Sequence, residues 1–391
     1  MQELRIGIIG LGNMGYAHAS CISSGKVKNL RLTAMCDISE QRRKNASERF
    51  PNAECFADCT QMMDSGLVDA VLIAVPHRLH VEIALQALEK GLHVLVEKPI
   101  DITVSAAKRL NEAAKVSDRV FGIMFNQRTN PLFQKAREII QNGELGELKR
   151  SVWIITNWYR TQAYYDSGSW RATWAGEGGG VLLNQAPHNL DLWQWICGMP
   201  ESVTAFCDVA KYHKIEVEDD VTIFTRYANG AVGTFITTTG EYPGTNRLEL
   251  SGDRGKIVIE NGVLRWWKLD QSEREYCVTA KRNSCEDAPE YIEIKQDVSE
   301  TAHCGILQNF TNAVLFGEEL LAPGTDGIYE LTLSNAAYLS SWKGSTEVKL
   351  PFDTEEYDAL LAERAANSSF HTAIETETPS DAYAPRWQVS W

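Results

Sequence analysis

Gly10-Leu11-Gly12-Asn13-Met14-Gly15 stands directly after the apolar run of residues 4–9 and directly before a helix-length segment. No other feature constrains the fold as strongly. In a Gly-x-Gly-x-x-Gly turn the first glycine permits the tight reversal and the second lets the backbone approach a pyrophosphate. The third lets helix and strand pack closely. The free N–H groups of the helix N-terminus then face the phosphates. Asp37 lies 22 residues after Gly15, at the end of the second apolar run, where a carboxylate can accept from an adenosine ribose. We expect a dinucleotide site at Gly10, Gly12, Asn13, Met14, Gly15 and Asp37. Asp37 would repel a 2′-phosphate and is followed by Ile38, which favours NAD over NADP, although Arg42 and Arg43 lie near.

Further apolar runs at 30–36, 68–75, 92–96 and 120–125 alternate with helix-length segments at 79–90 and 104–115, and Gly91 is a plausible helix stop. That rhythm predicts a doubly wound parallel α/β sheet, a Rossmann domain over residues 1–126. From about residue 148 strand-like segments follow one another at 202–210, 221–227, 231–239, 247–250, 256–259 and 263–267. Asn229-Gly230 and Asn261-Gly262 mark hairpins. We expect residues 127–391 to form an α+β domain built on a mostly antiparallel sheet. A helix near 181–197 precedes the sheet, and helices near 304–316 and 327–342 follow it. A C-terminal helix is free to pack back on the first domain, and the tail after Asn367 is polar.

At 391 residues the chain is long enough for two cores. Acidic residues exceed basic ones by 52 to 38, a net charge of -14, which disfavours nucleic acid and anionic membranes as partners. No apolar stretch is long enough to span a bilayer and no secretory signal opens the chain, so the expected location is the cytoplasm. Nine cysteines without a Cys-x-x-Cys pair suggest free thiols and no metal site.

Ligands of open α/β sheets bind beyond the carboxyl ends of the strands. Two such ends are chemically suggestive: Val75-Pro76-His77, with His80 after it, and Glu97-Lys98-Pro99, whose proline suits a cis bond. A lysine partly desolvated beside a cationic nicotinamide would favour its neutral form and could exchange a proton with a substrate hydroxyl. After Gly178-Gly179-Gly180, the residues Asn184, His188 and Asp191 fall at helical spacing and form one polar stripe that we expect to line a pocket. Six of the eleven tryptophans lie between residues 151 and 200, with Tyr159, Arg160, Tyr164 and Tyr165 among them. Aromatic faces suit the C–H faces of a pyranose, whereas Trp193 and Trp195 read as core.

Together, the glycine turn, Glu97-Lys98-Pro99, Phe125-Asn126-Gln127-Arg128, Trp170-Arg171 and the 178–191 segment resemble the Gfo/Idh/MocA oxidoreductases over nearly the whole chain. The resemblance implies an open-faced sheet that makes homodimer or homotetramer contacts. It also implies that Lys98 and His188 flank the substrate carbon, and that Asn126, Trp170 and Arg171 help hold the cofactor. Relatives carry a catalytic aspartate where this chain has Asn184, so Asn184 is assigned to positioning and the proton to Lys98 or His188. His77 likewise stands where relatives often have asparagine. The expected function is NAD-dependent oxidation of a sugar, glycoside or cyclic polyol hydroxyl to a ketone. Lys98, Tyr159, Arg160, Tyr165, Asn184 and His188 would hold the substrate, and resemblance to glycoside 3-dehydrogenases suggests C3. The alternatives are a glycosidase that retains NAD and oxidises its sugar transiently, and a non-catalytic sensor of sugar or dinucleotide.

Overall fold

A computed structural model describes residues 3–284, 288–296 and 301–369. Six strands form the first sheet: β1 (Leu4–Ile9), β2 (Leu30–Cys36), β3 (Glu54–Phe56), β4 (Ala70–Ile73), β5 (His93–Val96) and β6 (Phe121–Ile123). All pairings are parallel, in the order β3-β2-β1-β4-β5-β6. This is the doubly wound order that reverses at β1 and opens a crevice beyond the ends of β1 and β4. Ile6, Ile8, Val71, Leu72, Val94 and Leu95 are wholly buried because helices cover both faces. Each such side chain contributes about 1.5–3 kcal/mol of burial. The short β3 escapes sequence reading because its three residues are exposed or half-buried and form no apolar run. The expected strand at 68–75 shrinks to four residues, and Val75 and Pro76 lie beyond the sheet, ahead of the helical turn His77–Leu79.

The second sheet has nine strands: β7 (Leu148–Ile155), β8 (Ser202–Val209), β9 (Glu218–Arg226), β10 (Val232–Thr238), β11 (Asn246–Gly252), β12 (Gly255–Glu260), β13 (Val263–Lys268), β14 (Glu290–Lys295) and β15 (Val348–Lys349). Their order is β14-β13-β12-β11-β7-β10-β9-β8-β15, antiparallel except for the β7–β10 pair. The two Asn-Gly hairpins form as expected. At the second, Asn261 and Gly262 both have positive φ, 53° and 72°, the geometry that matches strand twist. One face of this sheet packs on helices through Trp153, Phe235 and Trp193, the last two rings 5.4 Å apart.

Two expectations are corrected. The helix foreseen over 181–197 is two helices, Val181–Asn184 and Pro187–Cys197, because Pro187 brings no N–H to continue the first and instead starts the second. The free thiols foreseen for every cysteine are also not all free. Cys21 and Cys304 are disulfide-bonded across 283 residues of sequence, because helix Ala302–Phe316 returns to pack against helix Asn13–Ser23 and β1. Cys36, Cys55, Cys59, Cys197, Cys207 and Cys277 are free, whereas Cys285 and residues 370–391 of the tail lie outside the described residues. No helix among the described residues is long and apolar enough to cross a membrane.

Candidate active site

At the glycine turn Gly10 has φ of 94°, and a Cβ there would sit 2.4 Å from the Ala74 carbonyl oxygen. A Cβ on Gly15 would come within 1.8 Å of the Gly10 oxygen. Both positions therefore demand glycine for the fold itself. Gly12 is different: a Cβ there meets nothing within 4 Å, and Gly12 starts helix Asn13–Ser23 without any side-chain cap. Uncapped helix N–H groups beside open space make an anion site. Asp37, buried at its rim, accepts from Leu11 N at 2.7 Å and Ser39 N at 2.8 Å and keeps acceptor capacity for a ribose. Arg42 sits 3.5 Å from it. A pyrophosphate and a ribose fit these residues. Gly12→Ala should keep the native melting temperature but weaken NAD binding by roughly tenfold or more, about 1.4 kcal/mol. Titration of protein fluorescence with NAD measures this, and unaltered affinity would remove Gly12 from the site.

Beyond β4 and β5 two loops are tied together. The His80 ring nitrogens lie 2.8 Å from the carbonyl oxygens of Val75 and of Pro99, which follows a cis bond after Lys98. Both carboxylate oxygens of Glu97 are engaged, with Oε1 2.6 Å from His18 Nε2 and Oε2 accepting from Lys98 N. His80 and Glu97 thus hold the loop that presents Lys98. Burial raises the titration of Glu97, but its hydrogen bond with His18 and the nearby positive charge outweigh this and keep it ionised.

Lys98 is half-buried, and its Nζ donates to the Asn184 carbonyl oxygen at 2.6 Å. Burial lowers its proton affinity, nearby carboxylates with Glu97 foremost raise it, and the balance leaves it below the ordinary amine range. His188, at the start of helix Pro187–Cys197, has its Nδ1 buried without a hydrogen-bond partner. Burial, then the Lys98 charge, then His303 push its imidazole far below the usual titration. Lys98 Nζ is bonded to the carbonyl four residues before His188, which brings the amine to the stretch of chain that carries the imidazole.

The triple glycine explains how Asn184 reaches Lys98. A Cβ on Gly178 would strike Ile102 at 2.8 Å, one on Gly179 the Tyr338 hydroxyl at 2.2 Å and one on Gly180 the Glu218 oxygen at 2.0 Å. Glu218 accepts from Gly180 N and Leu182 N, and from the Tyr338 hydroxyl, fixing the turn. Asn184 is then held by its side chain: Oδ1 accepts from the Tyr164 hydroxyl at 3.3 Å, and Nδ2 donates to the Glu177 carboxylate. Arg171 donates to the same hydroxyl at 2.8 Å and Gln185 at 3.2 Å.

Of the other expected residues, Trp170 meets His77 edge-on at 5.7 Å, and Arg171 lies over the Trp170 ring. Arg78 donates to the Trp174 carbonyl and pins this loop over the β4 end. His77 Nδ1 and Asn126 Oδ1 are buried without partners, as groups reserved for a ligand would be. The substrate loop divides. Tyr164 faces Asn184, whereas Tyr165 is buried with its hydroxyl 2.7 Å from Thr239 Oγ1. Tyr159 is exposed against Tyr242, and Arg160 covers Trp158 and Tyr164. Asp191 does not line the pocket: it pairs with buried Arg128. Sequence reading missed Glu177, Gln185, His18, His303 and Glu330. Only the position of Glu177 just before the triple glycine hinted at a role. No cluster able to hold a metal occurs among the described residues.

Residues 4–125 match the model of the oxidoreductase family with NAD-binding Rossmann fold, and residues 133–258 match that of the GFO/IDH/MocA C-terminal domain. The chain is 26% identical to the myo-inositol 2-dehydrogenase of Thermotoga maritima over 358 residues, 90% of this chain and 99% of that protein. It is 31% identical to the D-glucoside 3-dehydrogenase of Escherichia coli over 202 residues, 51% and 55% of the two chains. The crystal structure of the WlbA dehydrogenase from Chromobacterium violaceum, in complex with NADH and UDP-GlcNAcA, superposes with a TM-score of 0.78 at 26% identity, covering 90% of this chain and 97% of that one.

Proposed function

Because this chain belongs to the GFO/IDH/MocA family of NAD-binding oxidoreductases, we propose that it oxidises a ring hydroxyl of a sugar, glycoside or cyclic polyol to the ketone, with C3 the carbon of a glycoside substrate. Residues 1–126 carry the dinucleotide and 127–391 the carbohydrate. The observation that supports the reading is the hydrogen bond that ties the Lys98 amine to the Asn184 carbonyl, four residues before His188, on the same strand-end side of the first sheet as the glycine turn. Gly10, Gly12, Asn13, Met14, Gly15 and Asp37 hold the dinucleotide, and Val75, Pro76, His77, His80, Glu97, Lys98, Asn126, Trp170 and Arg171 border it. Bound NAD supplies a hydride acceptor.

Lys98 takes the hydroxyl proton. Its lowered proton affinity makes the neutral amine easier to reach than in an exposed lysine, and taking the proton keeps charge from building up on the oxygen. His188 stays neutral and contributes a hydrogen bond that orients the hydroxyl, since its imidazole is too weak a base to keep a proton. Asn184 positions Lys98. Tyr159 and Arg160 form the outer rim for the carbohydrate, and Tyr164 replaces Tyr165 as the inner aromatic.

The open sheet face gives a surface for assembly into a homodimer or homotetramer. Phe206, Thr222, Ile236 and Ile154 fall on one registered row across β8, β9, β10 and β7, with Phe206 59% exposed. A panel of sugars, glycosides and inositols should yield NADH absorbance with at least one member. Release of nitrophenol from a nitrophenyl glycoside without net NADH would replace this reading with the glycosidase. Tight sugar binding without either signal would replace it with the sensor.

A further inference from the structure

Glu177 is 1% exposed, yet both its oxygens receive N–H groups: Oε2 from Ala172 N at 2.7 Å, and Oε1 from Asn184 Nδ2. Burial raises the titration of Glu177, but Arg171 and the two N–H donors pull the other way and favour the carboxylate. The counter-charge is Arg171, which bonds to the Tyr164 hydroxyl on the far side of the same amide. The orientation of Asn184 follows: only its N–H can meet the carboxylate, and only its oxygen can take the Tyr164 proton. Through its backbone carbonyl the same residue holds Lys98 Nζ at 2.6 Å.

We propose that Glu177 is a positioning residue for proton transfer: its carboxylate fixes Asn184, and so the seat of the Lys98 amine, and adds to Glu97 a second negative charge against which that amine gains and loses its proton. This rests on the reading of Lys98 as proton acceptor. Asn184 is neutral, so the ionic counterpart of the lysine stands one side chain further out, joined to it through an amide. The charged and titratable groups around Lys98 are Glu97, Glu177, Glu330, Arg171, His77, His80, His188 and His303. Glu97 is committed to His18 and to its neighbouring backbone N–H. Neither oxygen of the wholly buried Glu330 has a hydrogen-bond partner, the state of a neutral acid rather than of a charge. The four histidines are uncharged or cationic and cannot favour an ammonium. Glu177 is the carboxylate bonded to the residue that seats the amine.

The test is Glu177→Gln, nearly isosteric and still able to accept from Ala172 N. Without the negative charge the ammonium is disfavoured, so Lys98 should lose its proton at lower pH, by about one unit. Trace acetylation of Lys98 by acetic anhydride, followed by peptide mass spectrometry across pH, reads that midpoint without any substrate. The acid limb of kcat for carbohydrate oxidation should move by the same amount, with NAD affinity unchanged. An unmoved acetylation midpoint overturns the proposal. A moved midpoint with no NADH from any carbohydrate leaves it standing and overturns the dehydrogenase reading instead. Should Glu177→Gln fail to fold, Glu177→Asp draws the charge back by one methylene and must lower the midpoint by a smaller step. The wild-type midpoint in that variant overturns the proposal equally.

Discussion

Lys98→Ala should lower kcat for carbohydrate oxidation by about 10²–10⁴-fold, the range for loss of a positioned proton acceptor, without weakening NAD binding. The side chain stands after β5 and bonds to the Asn184 carbonyl, whereas the glycine turn follows β1, so its loss should leave the pyrophosphate contacts intact. Lys98→Arg should not restore turnover, because a guanidinium keeps the cation but never yields the neutral base. In the wild type, oxidation should rise with pH as Lys98 deprotonates. That rise falls below the ordinary amine range, because burial outweighs the pull of Glu97 and Glu177. Stopped-flow formation of NADH across pH separates chemistry from product release. Turnover retained by Lys98→Ala would give the proton to His188 and end the role assigned to the lysine.

The features legible beforehand are those whose causes are local. Gly10, Gly12 and Gly15 announce themselves because turn, phosphate approach and packing need glycine at fixed short spacing, and the strand before them is a continuous apolar run. Lys98 was marked by its place at a strand end. The misread features depend on phase or on distant partners. Tyr164 and Tyr165 are adjacent on the short helix Gln162–Asp166 and point about 100° apart, so composition alone could not say which one faces Asn184. Asn184, His188 and Asp191 keep helical spacing on paper, but the break before Pro187 puts Asn184 on a separate helix, and the aspartate is taken by an arginine 63 residues away. Glu177 had no periodic signal at all, since it sits in irregular backbone. The Cys21–Cys304 bond likewise follows from a helix that returns to the first domain.

Arg128→Met should cost about 3–5 kcal/mol of stability, because it strands a buried carboxylate without its partner. Arg128 is 1% exposed and gives Asp191 two parallel hydrogen bonds, at 2.9 and 2.7 Å, and Asp326 a third at 2.7 Å. The rings of Phe125 and Trp195 lie 5.2 Å from its guanidinium, which excludes the water that would otherwise screen Asp191. Asp326, at 27% exposure, can rehydrate by itself, whereas Asp191 cannot. The double variant Arg128→Met with Asp191→Leu should therefore recover much of the loss, since two apolar groups of similar size leave no orphaned charge. Denaturant midpoints of the single and double variants decide this, and a single variant as stable as the wild type would show the pair to be dispensable. The consequence reaches the chemistry, because Asp191 anchors the helix whose first turn carries His188. The double variant, refolded but no longer tied to the 324–326 segment, should turn over more slowly than its stability alone explains, and the deficit measures how much the ion pair contributes to holding the imidazole against the substrate.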